Sequence, residues 1–221
     1  MDEITPHVVF TLFNIPVRDT VTTTWIMIAL ITLISIVINR RQPAALEALV
    51  DFLYDMVSDV MGRPAGPFLP FLGSLAIFIA VANIIDIIPL LDSPTRDINT
   101  PLALALVVFF SVHYFGIRSK GLLGYLKGLA SPIFLLPLEI IGQLSRTLSL
   151  TLRLFGNIFS AVLIVAIIFS LVPLIAPLPL IGLSLFTGLL QAYIFTALAA
   201  VYIAAGLEDI EPQKEDTSSK E

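Results

Sequence analysis

The sequence predicts an all-α membrane protein with about five transmembrane helices and one amphipathic surface helix. Three observations carry that reading. Hydrophobic residues make up 57% of the chain and charged residues only 13%, with a mean hydropathy of +0.96, well outside the soluble globular range. Apolar runs near the length of a bilayer core recur, separated by proline-rich or charged breaks. Basic residues cluster after alternate runs, at Arg40 and Arg41 and again at Arg118, Lys120 and Lys127, as the positive-inside rule expects of cytoplasmic loops. The 221 residues therefore count membrane passes rather than soluble domains.

Residues 1–20 contain Pro6 and Pro16 among mixed polar and apolar residues and read as an irregular extracytoplasmic lead-in. The single membrane domain is expected over 21–207. Its first span, 21–39, ends at Arg40 and Arg41, which puts the N-terminus outside. The N-terminus is acidic and lacks the basic region of a cleavable signal, so this span should remain in place; no transit peptide is evident, which favours a bacterial inner membrane. Over 43–62, Leu46, Leu49, Val50, Leu53, Val57 and Met61 recur at helical spacing, with Glu47, Asp51, Asp55 and Asp59 opposite. This amphipathic helix lies along the cytoplasmic surface or serves as a soluble connector, its acidic face disfavouring anionic lipid.

RPAGPFLP breaks that helix, and the second span, 68–91, runs back outward. It carries Asn83 and Asp86 within NIIDIIP, where Asp86 is either an interfacial carboxylate or part of a buried polar path. The external loop LDSPTRDINT places Asp92 and Asp97 at the mouth of whatever lies below. The third span, 101–117, ends in the basic stretch RSKGLLGYLK, with His113 near its inner end in a structural role. The fourth, 134–172, is long for a 30 Å core and requires a steep tilt. Pro173, Pro177 and Pro179 form an outer turn before the fifth, 180–207, which carries Thr187 and sets Ser184, Gln191 and Tyr202 on one face. The tail, 208–221, is disordered by composition and cytoplasmic by topology.

The fourth span holds the anomaly. In PLEIIGQLSRTLSLTLRLFGNIFS, the residues Glu139, Gln143, Arg146, Arg153 and Asn157 fall within an arc of roughly 80° on an otherwise apolar helix. An arginine at the bilayer centre costs about 2.5–3.5 kcal/mol on insertion scales, which folding alone does not require. Arg146 can snorkel to a surface or pair with Glu139. Arg153 has neither escape, because between Leu154 and Leu207 there is no charged residue and no histidine. Its counter-charge must come from an earlier helix, from water or from another chain.

The absence of cysteine excludes disulfides and sulfur-ligated metals, two isolated histidines make no metal site, and the mild net charge of −5 implies no nucleic-acid partner. No nucleophile–base pair, P-loop or metal cluster is present, so no autonomous catalytic site and no cofactor is expected. What remains suits an ion pathway interrupted by a fixed positive charge, since arginine cannot relay a proton.

LSLTLRLFGN resembles the signature of subunit a of the F-type ATP synthase. PLEIIGQLSR, NIIDIIP, PTRDINTPLALAL and QAYIFTALAAVYI support the resemblance, which covers most of the chain from Ala44 to Gly206. It implies a stator with two aqueous half-channels that load and unload cations on the carboxylates of a rotating ring of small hairpin subunits. The last two helices would be tilted around that ring. Arg153 matches the arginine that separates the half-channels. Asn157 and Gln191 would line the outer one, with Asp86 and Asn83 nearer its mouth, and Glu139 the inner one. Arg146, Gln143, Ser184, Thr187, Asp92, Asp97 and Tyr202 are secondary candidates. The implied partners are the ring, a peripheral-stalk subunit and membrane lipid. Family members often carry an acid or histidine where this chain has Val162 or Ser184; its absence leaves protons and sodium as competing cargoes. A secondary transporter is the more remote alternative, but the Arg153 segment has no counterpart before residue 100 that would mark a repeat.

Overall fold

The computed structural model describes residues 8–12, 15–86, 93–129, 136–172 and 177–208. Two short strands, β1 (Val8–Leu12) and β2 (Ile15–Arg18), pair antiparallel. Residues 8–12 and 15–18 of the lead-in are thus paired strands rather than irregular chain. The sequences VVFTL and IPVR are rich in β-branched and aromatic residues, and in a two-stranded ribbon Pro16 removes no obligatory ladder bond.

Six helices follow: α1 (Asp19–Arg41), α2 (Pro43–Met61), α3 (Leu69–Ile85), α4 (Asn99–Leu129), α5 (Leu136–Leu171) and α6 (Pro177–Glu208). Among the described residues α1, α4, α5 and α6 are long and apolar enough to cross a membrane. The shorter apolar α3, at 17 residues, spans about 26 Å. The expected second span reached residue 91, and 87–91 lie outside the described residues. The chain is an all-α membrane protein.

Helix α6 is the centre of the bundle, touching α2, α3, α4 and α5. Its inner face, Ala192, Phe195, Ala199, Ala200, Ile203 and Ala204, is buried, and the alanines let neighbouring backbones approach. Leu72, Leu75 and Ile79 of α3 and Leu150, Leu154 and Ile158 of α5 complete the core. Helix α1 is peripheral: Met27 packs with Ala82 and Ile85, while Trp25, Ile26, Leu33 and Ile34 face outward. The second half of α2 buries Leu53, Met56, Val57 and Met61, whereas Leu49, Val50 and Phe52 stay exposed. The amphipathic face expected from sequence is therefore covered by protein at one end and open at the other.

Two boundaries differ from expectation. The third span was expected to end near residue 117, but helical backbone continues to Leu129 across a break at Gly121. There φ is 72° and ψ is 161°, a combination essentially reserved for glycine. The break turns Tyr125 back onto α4, where its hydroxyl meets His113 Nδ1 at 3.1 Å. His113 thus has a hydrogen-bond partner within α4. Similarly, Pro177 and Pro179 do not form the turn before the last helix but lie in its first turn, where a missing N–H costs nothing and the fixed φ suits the helix.

Helices α3 and α6 approach most closely at Gly188, whose carbonyl accepts a 2.8 Å hydrogen bond from Asn83 Nδ2. A Cβ at position 188 would stand 2.8 Å from Asn83 Cβ, closer than real carbons approach. Gly188→Ala should therefore break this bond and destabilise the bundle by about 1–3 kcal/mol, read as a lowered unfolding temperature of the detergent-solubilised protein. An unchanged temperature would show that the helices do not approach this closely.

Candidate functional site

Helix α5 carries two stripes. Thr147, Leu150, Thr151, Leu154 and Ile158 are its buried residues and follow the three-and-four spacing of a packed face. The stripe from Glu139 to Asn157 lies roughly 90° around the helix from them. It is therefore not the face that α5 packs against its own chain. Arg146 and Arg153 are exposed, and Glu139, Gln143 and Asn157 are half-buried.

Two cavities flank this stripe. The larger, about 790 Å³, lies between α3, α5 and α6 and brings together Asn83, Asp86, Asn157 and Ser184. The smaller, about 140 Å³, lies between α4, α5 and α6 and brings together Glu139, Gln143, Arg146 and Tyr202 with His113 and Lys120. Arg153 lines neither. On α5 it falls between the two sets, after Leu150 of the smaller cavity and before Asn157 of the larger. It makes no hydrogen bond, ion pair or ring contact with any described residue.

The other charged groups are engaged. The Arg146 guanidinium sits 5.4 Å from the centroid of the Tyr202 ring, a cation–π arrangement, and forms no ion pair with Glu139. Glu139 instead accepts a 3.1 Å hydrogen bond from Gln143 Nε2, one turn along the helix. Asp86 is neither a lone interfacial carboxylate nor a free one: Arg96 Nε donates to its Oδ1 at 2.8 Å. The sequence reading passed over Arg96. A cation in a loop expected on the outer face, against the usual charge bias, was the signal that it serves a local partner.

The remaining candidates separate. The Thr187 hydroxyl donates to the Ser184 carbonyl at 3.0 Å and is absorbed within α6. Asp97 Oδ1 accepts from Asn99 N and Nδ2 at 3.1 and 2.8 Å, tying the start of α4 rather than facing a cavity. Asp92 lies outside the described residues. Gln191 is 6% exposed and lines neither cavity, and its Nε2 has no hydrogen-bond partner among the described residues; Thr196 Oγ1, a fully buried hydroxyl not singled out in the sequence, has none among them either.

The α5 and α6 stripes run antiparallel, with Asn157 and Ser184 in one cavity and Arg146 over Tyr202 in the other. In sequence order along α6, Gln191 falls between Ser184 of the larger cavity and Tyr202 of the smaller, as Arg153 falls between Asn157 and Arg146 on α5. Val162 and Ser184 both line the larger cavity, so the missing acid or histidine is missing from this wall.

Comparison with known proteins agrees with the geometry. Residues 21–204 match the family profile of the ATP synthase A chain. The chain is 42% identical to ATP synthase subunit a 2 of Bradyrhizobium sp. strain BTAi1, over 94% of this chain and 96% of that protein. It is 40% identical to ATP synthase subunit a 2 of Pelobacter propionicus over 96% and 99%, and 38% identical to ATP synthase subunit a of Legionella pneumophila over 91% and 92%. With the fold, the two-striped α5 and the shared sequence in agreement, the chain belongs to the ATP synthase A chain family.

Proposed function

We propose that this chain is the ion-translocating stator subunit of a rotary ATP synthase in a bacterial inner membrane, with its N-terminus outside and its C-terminus in the cytoplasm. One observation carries the reading: Arg153, exposed and with no partner among the described residues, falls on α5 between the residues of two cavities that hold polar groups, and lines neither. The larger cavity is read as the outer half-channel and the smaller as the inner one. A cation enters through the first, binds a carboxylate on the rotating ring, travels around with it, and leaves through the second. A peripheral-stalk subunit and lipid are the remaining partners, and the outward apolar side chains of α1 suit either.

The electrostatics support this role. Opposite unit charges about 4 Å apart attract by roughly 4 kcal/mol at an effective dielectric near 20. That amounts to about three pKa units, enough to make an arriving ring carboxylate release its ion. The same fixed charge repels a bare cation that would cross directly between the cavities. Because arginine stays protonated, the barrier holds at any physiological pH. Gln191 is read as a residue of the outer half-channel; its amide nitrogen is buried and without a hydrogen-bond partner among the described residues, so on this reading it turns outward to meet a ring carboxylate. Glu139, held by Gln143, provides the acidic wall of the exit side.

Protons are the first reading for the cargo. Sodium is the second, favoured by the neutral oxygen donors of Asn83, Asn157 and Ser184 in the larger cavity, with Val162 where an acid or histidine would serve a proton.

Arg153→Ala, incorporated in the assembled complex in liposomes, should abolish gradient-driven ATP synthesis while the protein still inserts. Coupled synthesis by that variant would overturn the assignment. Glu139→Gln should slow coupled flux by about tenfold or more; an unchanged rate removes Glu139 from the pathway. For the cargo, ATP synthesis is measured under a sodium gradient with a protonophore present. Synthesis under those conditions excludes the proton reading, and its loss excludes the sodium reading.

A further inference from the structure

Asn83 and Gly188 stand where α3 and α6 come closest. Asn83 is 6% exposed and its Nδ2 donates to the Gly188 carbonyl at 2.8 Å. A Cβ at position 188 would stand 2.8 Å from Asn83 Cβ, so glycine is what lets the amide reach the backbone there. Both residues line the larger cavity, and chain order puts them at one end of it. The lining runs from Asn157 to Ser170 along α5, from Gly188 back to Ile181 along the antiparallel α6, and from Asn83 to Asp86 at the end of α3. Gln191 is the next polar residue of α6 beyond that end. At helical spacing it lies about 20° around the helix from Ser184 and about 60° from Gly188, both of which line the cavity, yet it does not line it. Its Nε2 is buried without a hydrogen-bond partner among the described residues.

We infer that Asn83 is a positioning residue that gates the inner end of the larger cavity: while its amide holds the Gly188 carbonyl, the passage along α6 to Gln191 is shut, and release of that bond joins Gln191 to the cavity. The inference deepens the reading of this cavity as the outer half-channel and rests on it, since Gln191, read as a residue of that half-channel, is otherwise cut off from it. Its physical basis is the near balance of such a contact. The cavity has room for several waters, and a neutral amide–carbonyl bond exchanges for bonds of similar strength to water, so the contact opens without unfolding either helix. A buried amide nitrogen is costly to leave unpaired, and water admitted past Asn83 satisfies it.

The chain contains no cysteine, so a single introduced thiol reports water access at its own position. The complete complex in liposomes is treated on the cavity side with a charged, membrane-impermeant methanethiosulfonate, and modification of this chain is followed by mass spectrometry. Asn157→Cys should react at least about tenfold faster than Gln191→Cys. Adding Asn83→Ala should accelerate modification of Gln191→Cys by about tenfold or more, and adding Gly188→Ala, which breaks the same bond from the other helix, should do likewise. Asn157→Cys should change by less than about threefold in either background. Val57→Cys, fully buried in the core and outside the cavity, should stay unreactive in both, which separates a gate from general loosening of the bundle. Equal rates at positions 157 and 191 with Asn83 in place, no acceleration at 191 when Asn83 is truncated, or modification at 57 would each overturn the inference. If Asn83→Ala does not assemble, Gly188→Ala decides by the same criteria. If neither assembles, the comparison of Asn157→Cys with Gln191→Cys decides: the stated difference supports the inference and a smaller one overturns it. Labelling does not depend on ion transport, so Arg153→Ala in the same liposomes tests the underlying reading separately: synthesis by that variant refutes the half-channels whatever the labelling shows.

Discussion

A guanidinium cannot give up its proton, and hydrocarbon cannot solvate it. The architecture of this chain follows from placing such a group on a helix after which no charged residue occurs from Leu154 to Leu207. Helix α5 resolves the conflict by angular separation. Its packing stripe faces the core, and its polar stripe stands about a quarter-turn away, where Glu139, Gln143 and Asn157 are half-buried and Arg146 and Arg153 are exposed. Had the polar stripe faced the core, Arg153 would have needed a buried carboxylate, and the resulting ion pair would already be satisfied. An exposed, partnerless charge is instead available to an acid on another polypeptide.

That availability is useful only if the surrounding groups hold their positions. Helix α6 provides the reference surface, packing its alanine-rich face into the core and meeting α3 so closely at Gly188 that Asn83 bonds directly to backbone. The polar residues of α6 then follow in order along the helix: Ser184 in one cavity, Gln191 buried between, and Tyr202 against Arg146. Two antiparallel helices with polar stripes along neighbouring edges produce polar space at both ends and a restricted region between. The cavities and the fixed charge are thus one geometric consequence rather than three separate features.

Periodic features were legible in the sequence and tertiary ones were not. The α5 stripe, the shared face of Ser184, Gln191 and Tyr202, and the amphipathic α2 are visible because helix geometry maps spacing onto direction. The pairing of Asp86 with Arg96 spans ten residues and a break in the helix, so no period encodes it. The extension of α4 depended on one glycine taking a φ of 72°, which a basic, loop-like composition concealed. The prolines before α6 were read as breakers although the first helical turn accepts them. In the lead-in, an alternating β-rich pattern was too short to outweigh two prolines. The exposure of Arg153 was not legible: counting charges removed only the stretch from Leu154 to Leu207 as a source of its counter-charge and left an earlier helix, water and another chain open, because which face of α5 packs is a tertiary property.

The two cavities differ in a way that bears on how a single arginine can serve both. The larger, near 790 Å³, has room for several waters and is walled largely by apolar side chains, with the amides of Asn83 and Asn157, the hydroxyls of Ser170 and Ser184 and the Asp86–Arg96 ion pair among them. The smaller, near 140 Å³, crowds Glu139, Lys120 and Arg146 together. On the proposed reading a cation crosses the first by exchanging one neutral oxygen for another, with no deep well to leave before it reaches the ring. It is released on the far side of Arg153 into a space where an acid is already present to receive it. A carboxylate strong enough to trap the ion ahead of the ring would compete with the ring's own acid, so neutrality on the approach side and acidity on the exit side are complementary requirements. The fixed charge between them has only to make the return path costly, because the walls on either side determine where the ion can rest.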